Sequence, residues 1–278
     1  MTNVIAPKVT VIVAVLNASE TIGQCLSSII EQSSNSVELV VIDGSSTDGT
    51  KEIVESYGKL ISRFVSESDS GVYEAFNKGV AASSGDWLMF LGADDYLYNS
   101  SSIEKILNFI EINKPHQRII YGQILVEDID GDKELFGKPW SESKSDFRNI
   151  MSIPHVGMFH HKSIFKDKGP FDESFRVAGD YELVYRELSA SDALFVPGVI
   201  VAEHRFGGLS TNPNFGLVVH MELWRARRQN GKLFPGFYWL VRLPRVLFLP
   251  VMIALFGHER GRKLHQGLKN LMSKSSPR

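Results

Sequence analysis

The chain has 278 residues, 43% hydrophobic and 22% charged, a balance ordinary for a globular protein that argues against disorder as the default and leaves enough apolar surface for a large core. Its one cysteine, Cys25, excludes an internal disulfide and suits a reducing compartment. The net charge of -2 hides an asymmetry: residues 213–278 carry 12 Lys and Arg against two Glu, so this stretch is +10 and everything before it is -12, and an acidic body of that size argues against nucleic acid as a partner.

Met1 to Ala6 carries no basic n-region, and the apolar run after it reads as a strand rather than a signal core, so a cytoplasmic protein is expected. That run, Val9 to Leu16, is β-branched and ends at Asn17, with Asn17 or Ser19 free to cap the next segment. Glu20 to Gln32 places Ile22, Leu26, Ile29 and Ile30 at helical spacing. Val37 to Ile42 predicts a second strand, ending in Asp43-Gly-Ser-Ser-Thr-Asp-Gly-Thr50, whose Ser and Asp side chains can cap a helix from Thr50 to Tyr57. A third short strand, Ile61 to Ser66, ends near Glu67 and Asp69, and Gly71 to Ala82 sets Val72, Ala75, Phe76 and Val80 on one helical side. Trp87 to Leu91 lacks the alternation of a half-exposed strand, which fits a strand covered on both faces, and it breaks into two adjacent carboxylates, Asp94 and Asp95.

Strand and helix alternate over the first 95 residues, which predicts an α/β nucleotide-binding layer with a mainly parallel sheet and a ligand crevice beyond the carboxyl ends of its strands. Two carboxylates at that rim repel each other unless protons or a cation intervene, and Mg2+ or Mn2+ favours such oxygens. A plain Asp-Asp turn closing the strand accounts for the same two residues equally well. No G-x-G-x-x-G follows the first strand and no G-x-x-x-x-G-K-[ST] occurs, so a Rossmann dehydrogenase and a P-loop NTPase lose support. There remains a set of strand-end acids, Asp43, Asp69, Asp94 and Asp95, which successive strands of one sheet would bring to one crevice.

Four stretches carry a resemblance: Pro7-Lys-Val-Thr-Val-Ile-Val-Ala-Val-Leu-Asn17, Glu38-Leu-Val-Val-Ile-Asp-Gly-Ser-Ser-Thr-Asp-Gly-Thr50, Asp69-Ser-Gly-Val-Tyr-Glu-Ala-Phe-Asn-Lys-Gly79 and Gly85-Asp-Trp-Leu-Met-Phe-Leu-Gly-Ala-Asp-Asp95. In this order they resemble the family 2 glycosyltransferases of the GT-A fold. The resemblance implies an α/β, GT-A-like nucleotide-binding sheet with flanking helices, a nucleotide-sugar donor half at residues 1–115, an acceptor and catalytic half at 116–212, and a basic, apolar helical tail at 213–278. It implies that Asp43 holds the nucleotide base, that Asn17, Asp69, Lys78, Ala93, Asp94 and Gly208 contact the donor, and that Mg2+ or Mn2+ binds at Asp94 and Asp95. Two positions depart from the pattern. Gly44 stands where a second Asp is common, and Gly92 replaces the first Asp of the D-x-D motif, removing the carboxylate that would meet the ribose.

In the second half, Ser102 to Asn113 is an amphipathic helix stopped by Pro115, and Arg118 to Val126 reads as a strand. Residues 127–149 are polar and irregular, and a loop region carrying Trp140 is expected there. His155, His160 and His161 fit no usual zinc spacing, which leaves His160 and His161 structural and His155 an acceptor or phosphate contact. Asp180 opens a predicted helix, Tyr181 to Leu188, and has two readings: a carboxylate capping free backbone N–H groups, or, as the resemblance implies, the general base that deprotonates an acceptor hydroxyl in an inverting transfer. Ala193 to Val196 is a further strand before a turn at Pro197-Gly198, and Glu203 to Thr211 resembles the family's Gly-Gly-x-Ser loop, with His204 or Arg205 as charge partners for phosphate.

Val218 to Gln229 predicts a helix, and Leu233 to Phe256 is apolar and aromatic but interrupted by Arg242, Pro244, Arg245 and Pro250. Its uninterrupted part is shorter than the roughly 20 residues a spanning helix needs, so an interfacial segment on anionic head groups is expected, with packing on its own domain or on a dimer partner as the competing arrangement. The resulting expectation is a metal-dependent inverting glycosyltransferase of bacterial exopolysaccharide, O-antigen or capsule synthesis, peripheral on the inner face of the cell membrane, with a lipid-linked or saccharide acceptor. The alternatives are a nucleotidyl- or phosphotransferase on the same acids and a non-catalytic sugar-nucleotide binding module, the latter motivated by Gly92.

Overall fold

The computed structural model describes residues 9–127, 131–205, 215–234, 236, 239–244, 246 and 247. The expectations for Met1 to Ala6, for Gly208 and its loop, and for the tail from residue 248 onward lie outside the described residues.

Four strands form the parallel part of the sheet: β1 (Val9–Val15), β2 (Val37–Asp43), β3 (Arg63–Ser66) and β4 (Trp87–Gly92), side by side in the order β3-β2-β1-β4. Their runs are apolar at consecutive positions because both faces are covered. Val11, Val13 and Val41 share one core with α1 (Ile22–Ile30) and α2 (Thr50–Ser56), while Ile12, Val40 and Ile42 share another with α3 (Val72–Ala82). Each such side chain, wholly removed from water, contributes about 1.5–3 kcal/mol. Gly79 sets how closely α3 lies on the sheet, since a Cβ there would fall 2.3 Å from Ile12 Cγ2. Asp48 caps the start of α2, accepting from the Thr50 N–H at 3.1 Å and its hydroxyl at 2.6 Å.

The remaining described elements are β5 (Tyr96–Leu97), α4 (Ser102–Asn113), β6 (Ile119–Glu127), β7 (Lys133–Phe136), α5 (Trp140–Phe147), β8 (Met158–His161), α6 (Ser163–Lys168), α7 (Gly179–Leu188), β9 (Leu194–His204) and α8 (Gly216–Gln229). β8 runs antiparallel between β4 and β6, β9 lies parallel to β6, and β5 closes the edge against β9. One sheet therefore runs through both halves of the chain and carries the strand ends of each to a common rim.

Three local expectations are corrected. Residues 127–149 are not an open loop: β7 pairs antiparallel with β6, and α5 buries Trp140, Ser143 and Phe147, whose i, i+3, i+7 spacing is masked by the charged residues between them. Trp140 Nε1 donates to Asp192 at 2.7 Å, fastening α5 to the loop before β9. Pro197-Gly198 is not a turn that ends a strand but part of an irregularity within β9, where the pairing with β6 jumps from Tyr121–Phe195 to Gln123–Ile200. The helix after residue 178 starts two residues earlier than expected, which places Asp180 inside its first turn rather than at its cap.

Candidate active site

The carboxyl ends of β1 and β4, the loop before α3 and the start of α7 surround a cleft of about 1210 Å³. Asn17, just beyond β1, and Ala93, Asp94 and Asp95, just beyond β4, line it from the parallel part of the sheet, and Asp69 enters from the loop before α3. His155, Asp180 and His204 close it from the second half.

Asp94 and Asp95 have different surroundings. Asp95 is buried, accepts from the Gly92 N–H at 3.2 Å, and lies 2.7 Å from His204 Nδ1. Asp94 is half-buried, and its loss of water, followed by the charge of Asp95, pushes its pKa up. Burial pulls the His204 ring toward its neutral form, but the Asp95 hydrogen bond and the charges of Asp95 and Asp94 outweigh that and hold its pKa above the ordinary value. Beneath the pair, Cys25 Sγ sits 3.6 Å from the Gly92 carbonyl oxygen, and burial together with the two acids pushes its thiol up, away from the reactive thiolate.

Gly92 is matched to this arrangement. A Cβ on it would lie 2.6 Å from Asp94 Oδ1 and 3.2 Å from Asp95 Oδ2, so the two carboxylates fold back over the position where the resemblance leads to a third acid. Gly44 repeats the pattern, since its Cβ would lie 2.9 Å from Asp69 Oδ2. Asp69 accepts from the Gly71 N–H at 3.0 Å, and burial raises its pKa.

Asn17 has a φ of 49° and braces the loop after β2: its N–H donates to Ser46 Oγ at 2.8 Å and its Oδ1 accepts from the Thr47 N–H at 2.9 Å. Asp43 is wholly buried at the end of β2, its carboxylate taken up by the Ser46 N–H at 3.2 Å, Ser46 Oγ at 2.5 Å and Ser66 Oγ at 2.7 Å. Asp43, Lys78 and Arg205 are not among the described residues that line the cleft. Lys78 Nζ is bound to Glu67 at 3.0 Å, Glu74 at 2.9 Å and the Ser68 carbonyl at 3.1 Å. Arg205 reaches Gln24 Oε1 at 2.5 Å, with its guanidinium over the Tyr96 ring.

Asp180 is the second residue of α7, and the cap residue Ala178 provides no side-chain bond. Glu222 of α8 instead holds the turn that leads into the helix, accepting from the N–H groups of Arg176, Val177 and Ala178. Asp180 points elsewhere: Tyr73 Oη donates to its Oδ1 at 3.3 Å, and His155 Nδ1 lies 3.9 Å from its Oδ2. Gly179 permits the Tyr73 approach, because a Cβ there would fall 2.8 Å from the Tyr73 ring. His155 stacks on Phe90 with ring centroids 6.0 Å apart, and burial holds it neutral. His160 and His161 fill structural places in β8, the first wholly buried edge-on to Phe90 and the second edge-on to Trp87.

Tyr73 and Arg176 line the cleft, and Glu222 holds the backbone of its wall at residues 176–178, without any of the three having been expected there. Tyr73 sits in a stretch whose clearest signal is its helical apolar side, and Arg176, on the cleft wall with its guanidinium 4.8 Å from the Phe215 ring, has no local signature. Glu222 has one: it is one of two acids in a stretch with 12 basic residues.

Residues 10–172 match the sequence model of glycosyl transferase family 2. A PGL/p-HBAD biosynthesis glycosyltransferase of Mycobacterium tuberculosis is 31% identical over 210 residues, covering 74% of this chain and 80% of that protein. Among solved structures, S. aureus TarS 1–349 in complex with UDP-GlcNAc superposes with a TM-score of 0.62 at 19% identity, over 87% of this chain and 72% of that one. The mannosyltransferase PcManGT of Pyrobaculum calidifontis, in complex with GDP-Man and Mn2+, gives 0.63 at 17% identity over 97% and 81%. Both share the fold found here, and with the sequence match over more than half its length this chain belongs to glycosyl transferase family 2 and has its GT-A fold.

Proposed function

We propose that this protein moves a sugar from a nucleoside diphosphate donor to an acceptor hydroxyl with inversion at the anomeric carbon, Asp180 serving as general base. The observation that carries this reading is the presence of Asp180 and the Asp94–Asp95 pair among the lining residues of one cleft, which supports a proton acceptor and a site for a charged leaving group within the same cavity. In the step, an Asp180 oxygen takes the acceptor proton, the acceptor oxygen forms its bond to the anomeric carbon, and the bond from that carbon to the phosphate oxygen breaks, its electrons leaving on the diphosphate. Tyr73 donates to the Asp180 carboxylate on one side, and the His155 ring lies beside it on another. Direct displacement needs no covalent carboxylate intermediate.

The residues fit a divalent cation. Among the described residues no three His, Cys, Asp or Glu side chains form a ready cage, but Mg2+ characteristically uses one or two carboxylates and completes its shell with substrate phosphates and water. Asp94 and Asp95 supply that pair, and the Asp94 pKa is raised by burial first and then by the charge of Asp95, a repulsion a cation would relieve. Mg2+ or Mn2+ held there would neutralise charge on the departing diphosphate.

The same proposal includes an acceptor in bacterial surface polysaccharide or glycolipid assembly, presented at the inner face of the cell membrane. Support comes from the C-terminal segment, which is +10 and exposes Leu233 (75%), Phe234 (82%), Leu240, Val241 and Leu247. No helix among the described residues is long and apolar enough to cross a membrane, so the contact proposed is interfacial. A panel of nucleotide sugars, beginning with UDP-GlcNAc and GDP-mannose and screened by thermal shift with and without Mn2+, tests the donor, because a ligand of the native state raises apparent stability by mass action. Release of nucleoside diphosphate that requires an acceptor sugar supports transfer. Tight donor binding with no release across a broad acceptor panel would leave only a binding module.

A further inference from the structure

The helix that carries Asp180 starts without a cap of its own. Ala178 has no side chain to bond the free N–H groups of the first turn, and Asp180 is committed to Tyr73 and lies beside His155. Those N–H groups carry the positive end of the helix and need an acceptor when buried. The N–H of Ala178, the residue at the cap position, finds its acceptor 44 residues further along the chain. Glu222 is 8% exposed, and its Oε1 accepts from the Arg176 N–H at 2.7 Å while Oε2 accepts from Val177 at 2.9 Å and Ala178 at 2.8 Å. Three successive backbone donors converging on one carboxylate fix the turn before α7 at each of its residues, a form of anion capture by consecutive amides.

Packing reinforces the arrangement. The face of α8 that carries Glu222 also buries Leu223 and Ala226 in the core shared with Tyr181, Val184 and Tyr185 of α7. Arg225, on the neighbouring face, holds the Ser174 carbonyl at 3.1 Å, two residues before the captured amides.

We propose that Glu222 is a positioning residue for the base: by holding the Arg176–Ala178 turn that leads into α7 from a separate helix, it fixes the direction in which the Asp180 carboxylate enters the cleft. The proposal rests on Asp180 being the base and touches no substrate directly. A displacement of about 1 Å in a reacting group costs on the order of 100-fold in rate, so a loosened Arg176–Ala178 turn is read in turnover before it is read in donor binding.

The test uses the full chain with Mn2+, UDP-N-acetylglucosamine or GDP-mannose as donor and, as acceptor, the sugar of the acceptor panel that supports the fastest release of nucleoside diphosphate, comparing Glu222→Gln, Glu222→Asp, Asp180→Asn and the Glu222→Gln/Asp180→Asn double variant. Glu222→Gln keeps the shape but turns one acceptor oxygen into a donor facing the backbone. It is expected to lower kcat by about 10- to 100-fold with UDP or GDP affinity held within about 2-fold, and to cost nothing further in the Asp180→Asn background, because residues acting through one group are not additive. Glu222→Asp, which keeps the charge, should recover part of the loss. Independently of turnover, amide exchange at residues 176–178 should accelerate in Glu222→Gln while the amides of β1 and β4 keep their protection. Should Glu222→Gln fail to fold, the same kinetic and exchange comparison is made with Glu222→Asp, whose expected effects are smaller and of the same sign. Unchanged exchange at 176–178, a kcat loss that adds fully to that of Asp180→Asn, or a matching loss of nucleotide affinity overturns the positioning role. Near-normal turnover by Asp180→Asn alone would instead remove the base, a separate failure.

Discussion

Tyr73 Oη donates to Asp180 Oδ1 at 3.3 Å, a bond that crosses the cleft from α3 in the first half of the chain to α7 in the second. Burial pushes the Tyr73 phenol up, so it stays protonated and can only donate to the carboxylate. A net hydrogen bond of this kind is worth about 0.5–1.5 kcal/mol. Tyr73→Phe is therefore expected to slow sugar transfer by about 2- to 10-fold, while Asp180→Asn slows it by about two to four orders of magnitude, the usual reach of general acid–base catalysis. Neither should move donor affinity appreciably. Steady-state kinetics beside donor titration separates the cases: if Asp180→Asn turns over near normally, the carboxylate is not the base.

The metal reading is tested at three positions at the end of β4 or just beyond it, Gly92, Asp94 and Asp95. Asp94→Asn and Asp95→Asn each remove one carboxylate from the pair, and both are expected to abolish Mn2+-dependent donor binding while the chain stays folded, because Asn keeps the shape and one oxygen that can still accept, at position 95 from the Gly92 N–H. Gly92→Ala adds one methyl 2.6 Å from Asp94 Oδ1. It should weaken the Mn2+ effect by displacing the carboxylate without altering its charge, and Gly92→Asp should weaken it further rather than restore a family-like site. Donor binding that responds equally to Mn2+ in wild type and in both Asn variants would remove the metal from these residues.

The strand-end acids are legible in the sequence because strand periodicity and loop chemistry are local. Asp94 and Asp95 follow an unbroken apolar run, and a strand covered on both faces can deliver its last residues only to the rim. The use each acid is put to is not legible, since it depends on groups that arrive from far along the chain. Asp43 ends its strand as expected, yet Ser46 and Ser66 occupy its oxygens. Asp180 resembles a cap because it lies where caps lie, and the carboxylate that fastens the turn before its helix is Glu222, in a segment whose local pattern shows only a basic helix. The hairpin and helix between residues 133 and 147 are hidden for a related reason: their charged residues face solvent, and only Trp140, Ser143 and Phe147 report the buried side.

Glu74 offers a prediction in pH. Its carboxylate accepts from the Ser70 hydroxyl at 2.7 Å and N–H at 2.8 Å and pairs with Lys78 at 2.9 Å, and these bonds, the Ser70 hydroxyl foremost, lower its pKa from 4.5 to about 2. The folded value is the lower one, so the stabilisation is fully present above pH 4.5 and is lost as pH falls toward about 2. The thermal midpoint of the wild type should fall toward that of Glu74→Gln across that window, having been higher above it. A difference between the two proteins that stays constant from pH 6 to about 2 would rule out this linkage.

The C-terminal segment begins as part of the body and then exposes apolar side chains. Trp239 stacks on His220 of α8 with ring centroids 4.6 Å apart and donates from Nε1 to the His220 carbonyl at 3.2 Å, so cutting the chain before Trp239 would remove a contact of α8 itself. Leu233 and Phe234, by contrast, are 75% and 82% exposed, and their replacement should leave the fold alone. Leu233→Ser/Phe234→Ser is expected to weaken binding to vesicles containing anionic lipid without lowering the thermal midpoint. Removing residues 248–278, which hold six of the 12 basic residues after position 213, should weaken it further, since each basic group near such a surface contributes about 1 kcal/mol. Salt should reduce binding of the intact chain without abolishing it, because charge is screened and apolar burial is not. Vesicle binding that is absent in the full chain, or unchanged by both variants, would withdraw the membrane from the proposed function and leave the segment as packing on the protein or on a second copy.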